Sequence, residues 1–218
     1  MKNIRKKAYY AIIFTLCFAL SGCIDIFQHI TKDSNGIDRN TIKVTVSKVV
    51  FAMANGLSGA GDIDYEKLFD ESNNIDVKEY NQFNASVKTV NDSMDVGYLV
   101  DMSIDYQDKN MVTAITQNDI SFIPKYSDKN ITIHIASLGG NAGSVSDNDM
   151  AAAFLATGKY RLTVNKACIA DIDRAAIKTR DGEKEISVLD LYDGYLIEIP
   201  IPIIFMSDID LVLYSKNN

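Results

Sequence analysis

Ile131-Thr132-Ile133-His134-Ile135-Ala136 alternates three isoleucines with threonine, histidine and alanine. Successive side chains of a β-strand point to opposite faces, so an extended chain places the three isoleucines on one face. Such alternation is typical of an antiparallel sheet that has one face on the core and the other in water. The segment therefore predicts a half-buried strand in a protein built mainly of β-structure.

Segments of the same character continue along the chain after Asn74, separated by Asn, Asp, Gly and Lys residues that favour turns. The predicted strands are Tyr80–Val90, Val96–Tyr106, Met111–Ile123, Ile131–Ala136, Lys159–Asn165, Ala167–Thr179, Glu185–Leu191, Tyr195–Phe205 and Ile209–Tyr214. Two short polar connections, Gln107–Asn110 and Arg180–Glu183, predict antiparallel hairpins between their flanking strands.

The part of the domain before these strands has a different pattern. Apolar residues between Ile42 and Leu57 recur at helical spacing and favour an amphipathic helix that ends at Asn55-Gly56. A strand over Ile42–Val46 is the alternative, because this part is rich in β-branched residues. Shorter helices are predicted over Asp64–Glu71 and Asn148–Ala156, the latter ending at Gly158.

Together these elements predict an α+β fold. It consists of a mainly antiparallel β-sheet or sandwich, preceded by a short helical lead-in and interrupted by one inserted helix.

The N-terminus has the layout of a secretory signal peptide. Its basic residues Lys2, Arg5, Lys6 and Lys7 precede an uncharged, largely apolar run from Ala8 to Leu20. That run is shorter than the roughly 20 residues that a membrane-spanning helix needs.

The run ends in Leu20-Ser21-Gly22-Cys23, which resembles the lipobox of bacterial lipoproteins. The resemblance implies cleavage before Cys23 and acylation of that cysteine. It divides the chain into a signal peptide (1–22), a lipidated cysteine with a tether (23–40) and a single β-rich envelope domain (41–218). Ile24, rather than an aspartate, follows the cysteine, which favours the outer membrane over the inner one.

The net charge of the chain limits the classes of partner that it can bind. Loss of residues 1–22 removes four basic residues and no acidic one, which changes the formal net charge from −7 to −11. A chain this acidic is repelled by nucleic acids and by anionic lipid headgroups. We therefore expect a membrane attachment through acyl chains and no nucleic-acid partner.

Cysteine usage excludes an internal disulfide in the mature chain. Cys17 leaves with the signal peptide and Cys23 carries lipid, so Cys168 is the one thiol that remains. Its neighbours are largely apolar, which predicts a buried structural thiol rather than a nucleophile.

The segment Ile197–Phe205 contains two of the three prolines, Pro200 and Pro202. Because proline has no N–H to donate, the segment is predicted to be an edge strand or an extended crossover. Its apolar side chains then have two interpretations, a sheet edge buried under the lead-in helix or the lip of an apolar groove. The groove residues would be Ile199, Ile201, Ile203 and Phe205.

No motif indicates a cofactor or a metal. Three Asp-Ile-Asp tripeptides, at 62–64, 171–173 and 208–210, place two carboxylates on one side of a strand, yet calcium needs about six or more oxygens. The glycine-rich stretches 56–61 and 138–144 lack the spacing of nucleotide-binding loops. Solvated acidic faces and loops are the favoured interpretation.

No motif indicates catalysis either. Asp101 and Asp105 could pair as acid and base, but a polar outer strand face accounts for them. The two histidines, His29 and His134, have no nucleophile motif to serve. The sequence therefore predicts a non-catalytic lipoprotein of the cell envelope that is structural or binds a partner. The alternatives are a carrier with an apolar ligand in a groove between sheet and lead-in helix, and, less favoured, an envelope hydrolase.

Overall fold

Two β-sheets share one hydrophobic core in the computed structural model, which describes residues 24–49, 52, 80–138 and 156–216. The larger sheet has seven strands in the order β10-β11-β7-β1-β2-β4-β3, and the smaller has five in the order β5-β6-β12-β8-β9. All pairs are antiparallel except β1 and β7, which run parallel. The predicted mainly β architecture is thus confirmed.

The strands of the larger sheet are β1 (Ile24–Lys32), β2 (Asp38–Ser47), β3 (Ser86–Asn91), β4 (Asp95–Ile104), β7 (Lys159–Asn165), β10 (Val188–Asp190) and β11 (Gly194–Pro200). Those of the smaller sheet are β5 (Pro124–Tyr126), β6 (Asn130–Ile135), β8 (Ile172–Thr179), β9 (Gly182–Ile186) and β12 (Ile209–Ser215). The complete helices are α1 (Lys109–Gln117), α2 (Ile201–Met206) and a 3-10 turn at Asn81–Phe83, and residues 48–49, 52 and 156–157 are helical as well.

The isoleucine alternation that predicted β6 is confirmed. Ile131, Ile133 and Ile135 are buried, and β6 lies between β5 and β12 as a member of the smaller sheet. The predictions for β4, β7 and β12 are confirmed within one or two residues at each end, and β8 and β9 form the predicted hairpin across Thr179 and Gly182.

The predicted tether is wrong for residues 24–40. The predicted lead-in helix is wrong for Ile42–Ser47, whereas residues 48–49 and 52 are helical and the rest of it lies outside the described residues. Ile24–Lys32 is a strand near the middle of the larger sheet, paired with β2 on one side and β7 on the other. The alternative strand over Ile42–Val46 is confirmed as part of β2. The second predicted helix, Asp64–Glu71, and most of the inserted helix, Asn148–Ala156, lie outside the described residues.

The tether prediction failed because polar residues interrupt the apolar pattern, although these residues are buried. Gln28 and Asn40 have no solvent exposure, and each is hydrogen-bonded inside the core. Gln28 donates to the Asn40 Oδ1 atom at 2.8 Å and to the Phe122 carbonyl at 2.7 Å, and it accepts from the Tyr160 hydroxyl at 2.6 Å. Asn40 also donates to the Phe122 carbonyl, at 2.8 Å. We call these four residues the amide cluster.

Most of the predicted strand Met111–Ile123 is helix α1 instead. Gln107–Asn110 therefore leads into a helix and does not join two strands of a hairpin. Asp108 caps the helix, because its carboxylate accepts a hydrogen bond from the Asn110 N–H at 2.8 Å. Ile115 is the buried residue of this surface helix. The cap and one buried position outweighed the β-propensity of Val112, Thr113 and Ile115.

The predicted strand Tyr195–Phe205 divides at its prolines. Pro200 is the last residue of β11, where it pairs with Lys159, and Pro202 falls in the first turn of α2. A first-turn proline loses no helical hydrogen bond, since that N–H would be unpaired in any case. β11 also has a neighbour on each side, β10 and β7, so the edge-strand interpretation is wrong.

Candidate functional site

The outer face of the larger sheet has an apolar surface beside its β10 edge. It is formed by Phe27 on β1, Leu189 on β10, Leu196 on β11, and Leu191 and Tyr192 in the turn between β10 and β11. We call these five residues the outer patch. Phe27 is 38% exposed and Tyr192 is fully exposed.

A hairpin turn places Tyr192 at the tip. The Leu191 N–H donates to the Gly194 carbonyl at 2.8 Å, which closes the turn over Tyr192 and Asp193. Gly194 is needed for close approach, since a Cβ built on it would lie 2.6 Å from the Val164 carbonyl oxygen. In this tight turn no described residue covers the Tyr192 ring. Aromatic rings of this size normally contribute to a core or an interface.

A cavity of about 290 Å³ opens next to this turn. Phe27, Leu191 and Tyr195 supply its apolar surface, and His29, Thr163 and Asp193 supply polar atoms. The His29 Nδ1 atom lies 2.6 Å from the Thr163 Oγ1 atom, and the His29 ring stacks beside Phe27 at 6.4 Å between centroids. This volume would admit one large side chain.

A second surface cavity of about 520 Å³ lies on the other side of Leu196. Leu189, Leu196 and Val188 line it together with Glu185 and Glu198. Leu196 and Thr163 are paired residues of β11 and β7, so the two cavities adjoin across one strand pair. The result is an apolar surface with acidic residues along its margin.

Salt bridges border this surface on the side of β1 and β7. Arg161 contacts Asp25 at 2.8 Å and Glu198 at 2.9 Å, and Lys159 contacts Glu198 at 3.0 Å. These hydrogen bonds and the neighbouring cations hold the pKa of the Glu198 carboxyl below its usual value. The border is therefore charged at neutral pH, and it marks one limit of the outer patch.

A second group of titratable side chains, of which Asp38 is buried and the others half-buried, lies at the end of the two sheets that contains the β1–β2 turn. It consists of Lys32, Asp38, Tyr106, Tyr126 and Cys168, which we call the carboxyl cluster. The Tyr126 hydroxyl donates to Asp38, the Tyr106 hydroxyl donates to the Pro124 carbonyl, and the two rings meet edge to face at 4.8 Å. Lys32 Nζ lies 3.5 Å from Asp38 Oδ1.

Burial governs the proton affinities in this cluster. It raises the pKa of Asp38 against the opposing effects of the Tyr126 hydroxyl and the Lys32 charge. It raises the pKa of both tyrosines, and burial together with the Asp38 charge raises the pKa of Cys168 to about 11. Perturbed groups of this kind occur in active sites and in structural clusters. Asp38 itself has no solvent exposure in this structure.

The predicted groove residues do not form a groove lip. Ile199 and Ile201 are fully buried in the core, while Ile203 and Phe205 are partly exposed. The cause is α2, which turns the chain after Pro200 and directs Ile201 and Ile204 inward. The lipobox residues Leu20, Ser21, Gly22 and Cys23 lie outside the described residues.

The acidic and histidine candidates have ordinary structural partners. Asp101 accepts from the Thr41 hydroxyl at 2.8 Å on the outer sheet face, and His134 contacts Asp210 at 2.9 Å. Asp208 accepts from the Ser137 N–H at 2.8 Å. Among the residues that the structure describes, no three His, Cys, Asp or Glu side chains come close enough to hold a metal ion.

Sequence reasoning missed both the outer patch and the buried clusters. The dipeptide Asp193-Gly194 is a strong turn signal that would have placed Tyr192 at a hairpin tip. No comparable signal marks Gln28, Asn40 or Asp38 as buried, because polar residues are expected to face water.

The comparisons with known proteins do not assign this chain to a family. The chain matches no protein-family model, and no curated protein matches it. Its structure resembles that of the folded domain of the Mycobacterium tuberculosis LppM protein, solved by NMR, with 8% identity over 89% of this chain and 91% of that chain. The TM-score is 0.37, which is too low to support an argument about fold or function.

Across the described part of the chain, no helix has both the length and the apolar character needed to cross a membrane.

Proposed function

We propose that this protein is a lipid-anchored lipoprotein of the cell envelope that binds a partner protein through the outer patch. The anchor is supported by the basic, apolar and lipobox sequence that ends at Cys23. Ile24 after the cysteine favours the outer membrane. The role is non-catalytic, and the acyl chains rather than the acidic protein surface provide membrane attachment.

One observation carries the binding role, namely the fully exposed Tyr192 beside a cavity sized for a single side chain. Tyrosine is enriched among the residues that dominate binding energy at interfaces. Asp193 is exposed on the same turn, while the neighbouring Asp190 is paired with Lys166 at 2.8 Å. We therefore expect a partner segment that presents an apolar or aromatic side chain next to a basic residue.

The anchor is tested by metabolic labelling with a fatty acid. Cys23→Ala should abolish the label and leave a precursor or a secreted form. A variant that still takes up label and fractionates with membranes would contradict the lipobox assignment.

Binding is tested in cells with a photo-crosslinking amino acid at position 192 or 189. We expect an adduct of one discrete mass, lost when Leu191→Asp alters the turn. The matched control is the same crosslinker at Lys88, an exposed position on β3 at the opposite edge of this sheet. Equal adducts at the control position, or none at position 192, would contradict the proposal.

A further inference from the structure

Ile24, the residue after the lipobox cysteine, already belongs to a strand of the larger sheet, and this has a consequence for how the domain meets the membrane. Ile24 is the first residue of β1 and pairs with Val46. One residue spans at most about 3.6 Å of chain, so an acyl-modified Cys23 would hold Ile24 at the bilayer surface. This step rests on the lipid anchor proposed above.

The residues that contact or pair beside Ile24 show which other parts of the two sheets lie at the same end. A Cβ built on Gly158 would lie 2.6 Å from the Ile24 carbonyl oxygen, so β7 starts in direct contact with β1. On the other side, Ser47 at the end of β2 pairs with Asp95, and the Lys48 N–H donates to the Met94 carbonyl at 2.8 Å. Met94 thus lies at the same end as Ile24, and it is 58% exposed.

Helix α2 lies at this end as well. The Ile201 N–H donates to the Gly158 carbonyl at 3.0 Å, which joins the helix start to the neighbourhood of Ile24. The Leu138 N–H donates to the Ile204 carbonyl at 3.2 Å. Leu138 and Met206 are 42% and 84% exposed, so this end carries three large apolar side chains in water.

We infer that this end of the domain docks on the bilayer and that Met94, Leu138 and Met206 enter the interfacial region of the lipids. Methionine and leucine gain by leaving water, and methionine adapts to an irregular surface. Asp92, Asp95 and Asp208 lie next to these residues in the sequence, and Lys48 and Lys159 lie at the same end. This end therefore has no excess of positive charge, so an uncharged, zwitterionic interface is the matching partner rather than an anionic one.

Docking in this orientation places the outer patch away from the membrane. Strand β7 runs from Lys159 at the docking end to Asn165, which lines the cavity beside Tyr192. The cavity extends from Phe27, near the start of β1, to Asn165 at the end of β7, so at about 3.3 Å per residue it lies roughly 10–20 Å above the surface. A partner in the envelope could then reach it.

The test uses single tryptophans, because the natural chain has none. The lipidated full-length product, carrying M206W or M94W, is reconstituted in phosphatidylcholine vesicles with and without bromines on the acyl chains. Residues at the headgroup–acyl boundary lie within reach of these bromines, so we expect about half of the fluorescence to be lost. The control is Y192W, which should lose none.

The outcomes separate docking from anchoring. Quenching of M206W and M94W with an unchanged Y192W supports the inference. A correct acyl mass on Cys23 without quenching of M206W and M94W overturns docking and leaves the anchor intact. Equal quenching of all three reporters overturns the orientation. Protein that lacks the acyl mass and stays off the vesicles overturns both proposals.

Discussion

The amide cluster and the carboxyl cluster are both buried on the inner face of β1 and β2, yet they differ in how well their polar atoms are satisfied. Every polar side-chain atom of Gln28 and Asn40 has a partner at 2.6–2.8 Å. In the carboxyl cluster, Asp38 Oδ1 has no hydrogen bond, and the Lys32 ammonium group 3.5 Å away is its described ion-pair partner.

The amide cluster and the carboxyl cluster also differ in charge. The amide cluster is neutral, so its hydrogen bonds need only replace those to water. The carboxyl cluster places a carboxylate where burial raises the pKa, so neutral pH forces a charge into an unfavourable position. We therefore expect changes in the amide cluster to lower stability and loss of the Asp38 charge to raise it.

The largest effect is expected from Gln28→Leu. This change leaves the Tyr160 hydroxyl and the Asn40 Oδ1 atom without their partner, and each buried orphan costs about 1–3 kcal/mol, which gives a loss of about 2–6 kcal/mol. Urea unfolding of the domain measures it. A loss below about 1 kcal/mol would show that water reaches the site and replaces the lost bonds.

Tyr160→Phe should have a smaller effect, because it leaves one atom, Gln28 Oε1, without its partner. We expect a loss of about 1–3 kcal/mol. The double variant with Gln28→Leu should lose less than the sum of the two single changes, since both ends of one hydrogen bond are removed together. Strict additivity in the unfolding free energies would mean that the bond contributes nothing.

Asp38→Asn should act in the opposite direction. It keeps an acceptor for the Tyr126 hydroxyl and removes the buried charge, so we expect a gain of about 1 kcal/mol at neutral pH. The folded-state pKa of Asp38 lies above its ordinary value of 3.8, so wild-type stability falls as the pH rises through this range.

The difference between Asp38→Asn and wild type should therefore shrink as the pH falls towards about 4 and be lost below it, where Asp38 is protonated in both states. Thermal unfolding between acid and neutral pH measures it. A variant less stable than wild type at neutral pH would show that the Lys32 ion pair outweighs burial.

The smallest effect concerns Cys168, whose pKa of about 11 should make alkylation slow in the native protein and fast after unfolding. Because the Asp38 charge contributes to this shift, Asp38→Asn should speed native alkylation by about two- to fivefold. Rates with iodoacetamide at fixed pH measure it. Equal rates in wild type and Asp38→Asn would indicate that the two groups do not interact.

Several elements could be predicted from the sequence because their burial pattern follows residue polarity. β6 and β7 alternate apolar and polar residues, and β12 has an apolar run at Leu211–Leu213; these apolar residues are buried. The hairpin at Arg180–Glu183 follows from local turn chemistry and needs no tertiary contact.

The predictions from sequence failed where a residue far away in the chain determines the conformation. β1 is buried between β2 and β7, and Gln28 is satisfied there by a carbonyl 94 positions along the chain. The outer patch could not be predicted either, since Phe27 on β1 and Leu191 in the turn after β10 are far apart in sequence and meet across β7 and β11.

By itself, the sequence determined that this chain is mainly β, where most strands lie after Asn74, and that its N-terminus has a lipobox-like ending. These properties depend on residue polarity and on neighbours a few positions apart. Only the tertiary structure decided that residues 24–40 belong to the sheet, that Ile199 and Ile201 are core, and that Tyr192 stands exposed. Strand pairing joins residues far apart in the chain, and a polar side chain can be buried only where such a distant residue completes its hydrogen bonds.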